Sequence, residues 1–319
     1  MNKQDSKKLR KFFHLQDLVD NFKLTILSGH DKMMNKISSF GINRPGLELA
    51  DYFASGRNKR VCLIGGKESS FLASLKPALR IERLTNLVNS LSSVLVMTSK
   101  FQFKKELTNI CKKADFPLLE TSLSSTEFFL DLVPWISKKL SKTIERHCSL
   151  MSVYGEGVLI EGPSGIGKSE ICMTLLSRNH FFVGDDRIII YRTSDELYGA
   201  SAPLIKNLIE IRGIGLFDVE KVFGVYKVLD EIKISCIIKL YPKNQPGFSE
   251  PLRLNEKYKL VDLLGIKIPM ISLSVLPGRS ISQLIEAAVI NLKIQKKGIN
   301  FLEDLENRFL DFVKKDEKE

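Results

Sequence analysis

Two α/β domains are expected of this chain: a small N-terminal α/β domain over residues 1–135, and over 136–319 an α/β domain built around a phosphate-binding P-loop. Three observations predict them. The 319 residues exceed what one core comfortably serves. Short apolar runs alternate with helix-period stretches through both halves. Residues 162–169 read Gly-Pro-Ser-Gly-Ile-Gly-Lys-Ser, after an apolar run that suits a strand and before a stretch that suits a helix.

The elements follow in order. In the first half, 61–66 reads as a buried strand ending in a turn and 94–98 as a second strand. An amphipathic helix is expected over 103–114, then a short strand entry at Pro117-Leu118-Leu119. Residues 128–142 read as a helix with Phe129, Leu132, Val133, Ile136 and Leu140 on one face. Pro134 should bend that helix or shift its start. The basic stretch 138–146 reads as the junction between domains. The second half opens with strands over 150–154 and 157–161. A helix over 169–178 places Ile171, Leu175 and Leu176 together, and Asn179 suits its left-handed cap. Strands are expected over 181–183, 187–191, 234–240 and 270–275, and a helix over 281–293. The charged residues beyond Lys314 read as a fraying tail.

Composition narrows the function classes. Apolar residues make up 44% and charged residues 27%, the balance of a soluble globular protein. The formal charge of +11 favours anionic partners such as nucleotides and acidic proteins. Its densest run, Lys7-Lys8-Leu9-Arg10-Lys11, reads as a solvated tail. No zinc-finger spacing or RNA-binding aromatic signature supports nucleic acid. Cys62, Cys111, Cys148, Cys172 and Cys236 are widely spaced without C-x-x-C, so reduced buried thiols in a cytoplasmic protein are expected. The N-terminus has no signal-peptide pattern, and no run approaches 18 apolar residues, so no membrane segment is expected.

The loop Gly162, Pro163, Ser164, Gly165, Ile166, Gly167, Lys168, Ser169 matches G-x-x-x-x-G-K-S/T at every fixed position. Its glycines allow the backbone to close around phosphate and turn N–H groups inward. Lys168 adds a cation, Ser169 a hard oxygen suited to magnesium, and the following helix N-terminus favours the phosphate charge. The loop implies a nucleoside triphosphate, not yet a reaction. Asp185-Asp186 lies between two apolar runs, where two like charges raise one pKa and create a candidate general base. Glu210-Ile211-Arg212-Gly213-Ile214-Gly215 offers a magnesium ligand in Glu210 and a phosphate ligand in Arg212, with backbone bends at Gly213 and Gly215. Taken alone, that segment reads first as structural. His14, His30, His147 and His180 each read as packed or surface residues. Pro277-Gly278-Arg279 reads as a turn that also puts Arg279 at a helix start.

Together these pieces resemble the HPr kinase/phosphorylase family across nearly the whole chain. The matching residues are Arg44-Pro45-Gly46-Leu47-Glu48-Leu49-Ala50-Asp51-Tyr52-Phe53, His147, the P-loop with Glu170, Asp185-Asp186-Arg187, Glu210 to Gly215, Phe223-Gly224 and Pro277-Gly278-Arg279. The resemblance implies that 136–319 is a kinase/phosphorylase domain using ATP and Mg2+. Lys168 and the loop would hold the triphosphate, and Ser169 with Glu210 the metal. Asp186 would take the proton from a serine of HPr, or of an HPr paralogue. In reverse it would return one while inorganic phosphate attacks phosphoserine to give pyrophosphate. His147 and Arg253 fall where the family keeps phosphate-facing catalytic residues. The resemblance also implies a homo-hexamer. Cys148 after His147, Tyr226 after Phe223-Gly224 and Ser280 after Arg279 depart from the family pattern. A P-loop kinase of small molecules is the rival reading, but no Arg-rich lid is present.

Overall fold

A computed structural model describes residues 12–53, 60–91, 93–242, 258–276, 278–299 and 308. Its contacts divide the chain into two compact units that meet between Lys142 and Thr143.

The N-terminal unit is built on a five-stranded sheet in the order Thr25–Ser28, Leu118–Glu120, Val94–Met97, Val61–Ile64, Ile42–Asn43. The last four run parallel, and Thr25–Ser28 runs antiparallel at the edge. Val61–Ile64 and Val94–Met97 are buried at every position, as strands covered on both faces must be. The expected helix over 103–114 spans Lys104–Lys113. The helix expected over 128–142 starts earlier, at Ser125, because Ser124 accepts from the Glu127 amide while the Glu127 carboxylate caps the Ser124 amide. It continues through Pro134 to Leu140. The hydrogen bond that Pro134 removes would have gone to the carbonyl of Leu130, an exposed residue that water can serve. The residue-135 boundary therefore falls inside this helix, whose Ile136 and Leu140 are buried in the N-terminal unit's core.

The C-terminal unit carries a nine-stranded mixed sheet among the described residues. Glu156–Glu161, Glu231–Pro242 and Ile266–Val275 lie side by side and parallel. Ser149–Val153 pairs antiparallel with Glu156–Glu161, and Phe181–Gly184 pairs antiparallel with Ser149–Val153. On the other side of Glu231–Pro242, Glu196–Ser201 leads to Arg187–Thr193 and Thr143–His147. Helix Lys168–Ser177 buries Lys168, Ile171, Cys172, Leu175 and Leu176, the i, i+3, i+4, i+7, i+8 stripe of a helix laid on a sheet. Asn179 takes φ 67 as its cap, and the His180 amide returns to the Leu175 carbonyl at 3.1 Å. The helix Ile281–Lys296 shares the same core through Ile281, Ile285, Val289 and Leu292.

One expectation is corrected. Residues 143–146, read as part of a polar junction, form with His147 a regular edge strand against Arg187–Thr193. Edge strands expose one face and carry charge freely, so Glu145 and Arg146 hide the strand from a hydrophobicity reading. All five cysteines are free and buried, and burial pushes each thiol upward. No helix among the described residues is long and apolar enough to cross a membrane.

Candidate active site

The phosphate loop leaves the carboxyl end of Glu156–Glu161, the edge where open α/β sheets bind ligands. Gly165 and Gly167 take φ 78 and φ 100, left-handed values that a side chain would strain. Gly167 caps the helix that begins at Lys168. The Lys168 ammonium donates to the carbonyls of Gly162 and Pro163 at 3.2 and 3.3 Å, so its charge lies over the loop. Gly162, Pro163, Ser164, Gly165, Ile166 and Gly167 thus form a continuous bend closed by their own lysine.

Sheet register gathers the acids at this edge. Ser149 begins the strand antiparallel to the loop-feeding strand and pairs with Ile160, one residue short of its end. Gly184 pairs with Leu150, so the chain leaves that strand at Asp185 on the same edge. The buried Asp185 carboxylate accepts from the Ser169 hydroxyl at 2.6 Å and from the Ser149 hydroxyl through its other oxygen. Asp186 takes φ 68, and its carboxylate meets His147 Nδ1 at 2.7 Å, both side chains 60% exposed. The two adjacent carboxylates therefore serve different partners. Asp185 is tied inward to the loop serine, and Asp186 outward to an imidazole. Pairing of Arg187 with His147, across the edge strand and its inner neighbour, brings that imidazole into reach. Arg187 and Glu145 form an ion pair beside it, which holds the Glu145 carboxyl below the usual range.

Glu210, Arg212, Gly213 and Gly215 lie on a hairpin, with Ile211 opposite Gly215 and Gly213 and Gly215 at φ 82 and φ 126. Arg212 reaches the loop tip: a Cβ built on Gly165 would lie 3.1 Å from its Nη1. Glu210 is exposed, and the Ser169 hydroxyl is spent on Asp185 rather than on Glu210. Arg279 occupies an exposed turn after Ile266–Val275. That strand is joined to the loop-feeding strand through Glu231–Pro242, all three parallel, so Arg279 leaves the same sheet edge. Arg253 and Pro277 lie outside the described residues.

Two participants escape the sequence reading. Ser149 sits in a wholly buried strand and nothing in its neighbourhood marks it. Glu161 ends a buried apolar run immediately before the loop; one carboxylate oxygen is buried without a hydrogen-bond partner, 3.6 Å from Arg146 Nη1. A carboxylate closing such a run was the available signal.

A strand, a glycine loop, a lysine-headed helix and a serine tied to a buried aspartate make up the arrangement of a P-loop phosphate-binding domain. The comparisons with known proteins identify a family. The family model for the HPr serine kinase N terminus matches residues 13–136, and that for the HPr serine kinase C-terminal domain matches 138–309. A relative named HPr kinase/phosphorylase from Mycoplasma mycoides subsp. mycoides is 39% identical, covering 89% of this chain and 92% of its own. HPr kinase/phosphorylase 1 from Oceanobacillus iheyensis is 32% identical over 95% and 98% of the two chains. A solved HPr(Ser) kinase/phosphatase from Coxiella burnetii is 32% identical over 52% of this chain and 97% of that one, at a TM-score of 0.46. The chain belongs to the HPr serine kinase family.

Proposed function

We propose that this chain is an HPr kinase/phosphorylase that moves a phosphoryl group from ATP to a serine of HPr and removes it again with inorganic phosphate. The observation that carries the reading is the pair of contacts at one sheet edge: Ser169 on Asp185 at 2.6 Å and His147 on Asp186 at 2.7 Å. One pair suits a metal beside the phosphate loop. The other is a proton acceptor with a partner that orients it.

Phosphoryl transfer asks a protein for positioning and charge stabilisation more than for covalent chemistry. Loop amides and Lys168 hold the outer phosphates. Arg212, at the loop tip, takes charge from the transferring group, and Arg279 is a further cation at the same sheet edge. Asp186 accepts the proton as the seryl oxygen bonds to the γ-phosphorus and the bond to the β-bridging oxygen breaks, releasing ADP. In reverse, a phosphate oxygen attacks the phosphoseryl phosphorus. The seryl oxygen leaves with the proton held by Asp186, and the product is pyrophosphate. His147 fixes the Asp186 carboxylate in line with that oxygen.

The residues fit magnesium. Ser169 and Asp185 offer hard oxygens at hydrogen-bonding separation from one another, and Glu210 is a second carboxylate on the neighbouring hairpin. When bound, the ion would neutralise charge on the β- and γ-phosphates. Among the described residues no three His, Cys, Asp or Glu side chains form a metal cluster. That suits an ion which keeps several waters and binds through substrate phosphates.

The exposed Ile214 and Leu216, 74% and 65% accessible beside Arg212, are the docking contacts for the substrate protein. The activity belongs to the cytoplasm and to a hexamer. The test is incubation with HPr, ATP and magnesium, followed by inorganic phosphate. Phosphoserine should form and then revert with release of pyrophosphate; no phosphoserine would end the reading.

A further inference from the structure

The N-terminal unit holds a second constellation that phosphoryl transfer does not use. Its four parallel strands all end on one edge, and each is followed by a polar residue aimed at the same cleft. Arg44 follows Ile42–Asn43, Lys67 follows Val61–Ile64, Lys100 follows Val94–Met97, and Ser124 follows Leu118–Glu120. The cleft has a volume of about 430 Å³, and these four residues line it. That volume lies within the range of small-molecule sites, and the carboxyl edge of parallel strands is where such sites form.

Its charge is unbalanced. Among the described residues none of Arg44, Lys67 and Lys100 forms an ion pair, whereas Lys32, Arg80, Arg83 and Lys104 of the same unit each pair with a carboxylate. The carboxylate in the cleft, Glu68, is occupied in capping the Gly65 amide at 2.9 Å. Arg44 is held rather than free: its guanidinium lies 5.0 Å over the Phe129 ring and donates to the Ser125 carbonyl at 3.4 Å. Ser125, which lines the cleft, is held as well. Thr98 and Ser125 hydroxyls bond at 2.8 Å, and a Cβ on Gly65 would fall 1.9 Å from Ser125 Oγ. A polar pocket lined by three cations and by serine hydroxyls has the chemistry of a phosphate receptor.

We propose that this cleft binds a small phosphorylated molecule, with Arg44, Lys67 and Lys100 gripping the phosphate. The assignment gives a role to the Arg44 end of the 44–53 motif, which the catalytic unit leaves unexplained. It does not rest on the kinase reading.

The test uses the full chain carrying Lys168→Ala, which weakens the other phosphate site, and titrates it calorimetrically with inorganic phosphate, glycerol 3-phosphate and AMP. A single saturable site per chain is expected, with the best of the three ligands identifying whether free phosphate, a phosphomonoester or a nucleotide is the natural class. Adding Lys67→Ala and Lys100→Ala should weaken that site by about tenfold for each lysine removed. The charge-keeping pair Lys67→Arg and Lys100→Arg should retain it. No binding by the Lys168→Ala chain to any of the three, or binding unchanged by the two alanines, would overturn the proposal.

Discussion

At the scale of single residues, the account separates two neighbouring carboxylates by what they touch. Adjacency of Asp185 and Asp186 was legible in the sequence, and it suggested a candidate base. Their division of labour was not, because it depends on the left-handed turn at Asp186 and on Ser149, a residue unmarked in sequence. The division makes separable predictions. His147→Ala should leave ATP affinity unchanged and slow transfer by about 10- to 100-fold in both directions, as misplacing a reacting group does. Rapid-quench assays of both directions check it. Asp185→Asn should instead raise the magnesium concentration needed for half-maximal rate by about tenfold or more. It should also cost about 2 kcal/mol of stability, because one of the two buried carboxylate oxygens that accept from hydroxyls is replaced by an amide donor. Magnesium titration of the rate and urea unfolding measure the two effects.

At the scale of elements, strong patterns were legible and edges were not. The loop-feeding strand, the loop and its helix follow from an apolar run, a glycine motif and a 3.6-residue stripe. The strand Thr143–His147 does not, since an exposed edge strand needs no alternating apolar face; without it, His147 read as a lone histidine. His180, read as a packed or surface residue, is packed, though its partners were not legible. It is buried, its Nδ1 accepts from the Tyr154 amide at 3.5 Å, and its Nε2 donates to Glu286 at 2.9 Å. Arg178 adds two hydrogen bonds to Glu286, tying the end of the phosphate-loop helix to the helix Ile281–Lys296. The Arg178 hydrogen bonds, outweighing the opposing effect of burial and aided by His180, hold the Glu286 carboxyl below its ordinary value near 4.5. A depressed carboxylate contributes stability that is complete above that ordinary value and is lost as the pH falls through the lower folded one. Glu286→Gln should therefore flatten the acid limb of a stability–pH curve below about pH 4.5 and lower stability by about 2 kcal/mol at neutrality. Urea unfolding at stepped pH reads both changes.

At the scale of the whole molecule, two units and one excess of positive charge were legible, but not where the charge works. In the C-terminal unit Lys168 and Arg212 surround a phosphate loop. In the N-terminal unit Arg44, Lys67 and Lys100 converge on a cleft. Leu204, Val222, Val225 and Tyr226 stand 56 to 87% exposed on the C-terminal unit, apolar surface that a lone subunit would leave in water. Light scattering should find the hexamer that the family resemblance implies for the 36.1 kDa chain, and Val225→Asp with Tyr226→Asp should reduce it to smaller species. The central claim is that a single carboxylate beside the phosphate loop handles the proton in both directions. Its most direct measurement is made on Asp186→Asn. HPr phosphorylation and phosphate-driven dephosphorylation should both fall by about 10²- to 10⁴-fold while ATP still binds. Survival of either direction at the wild-type rate would contradict the account.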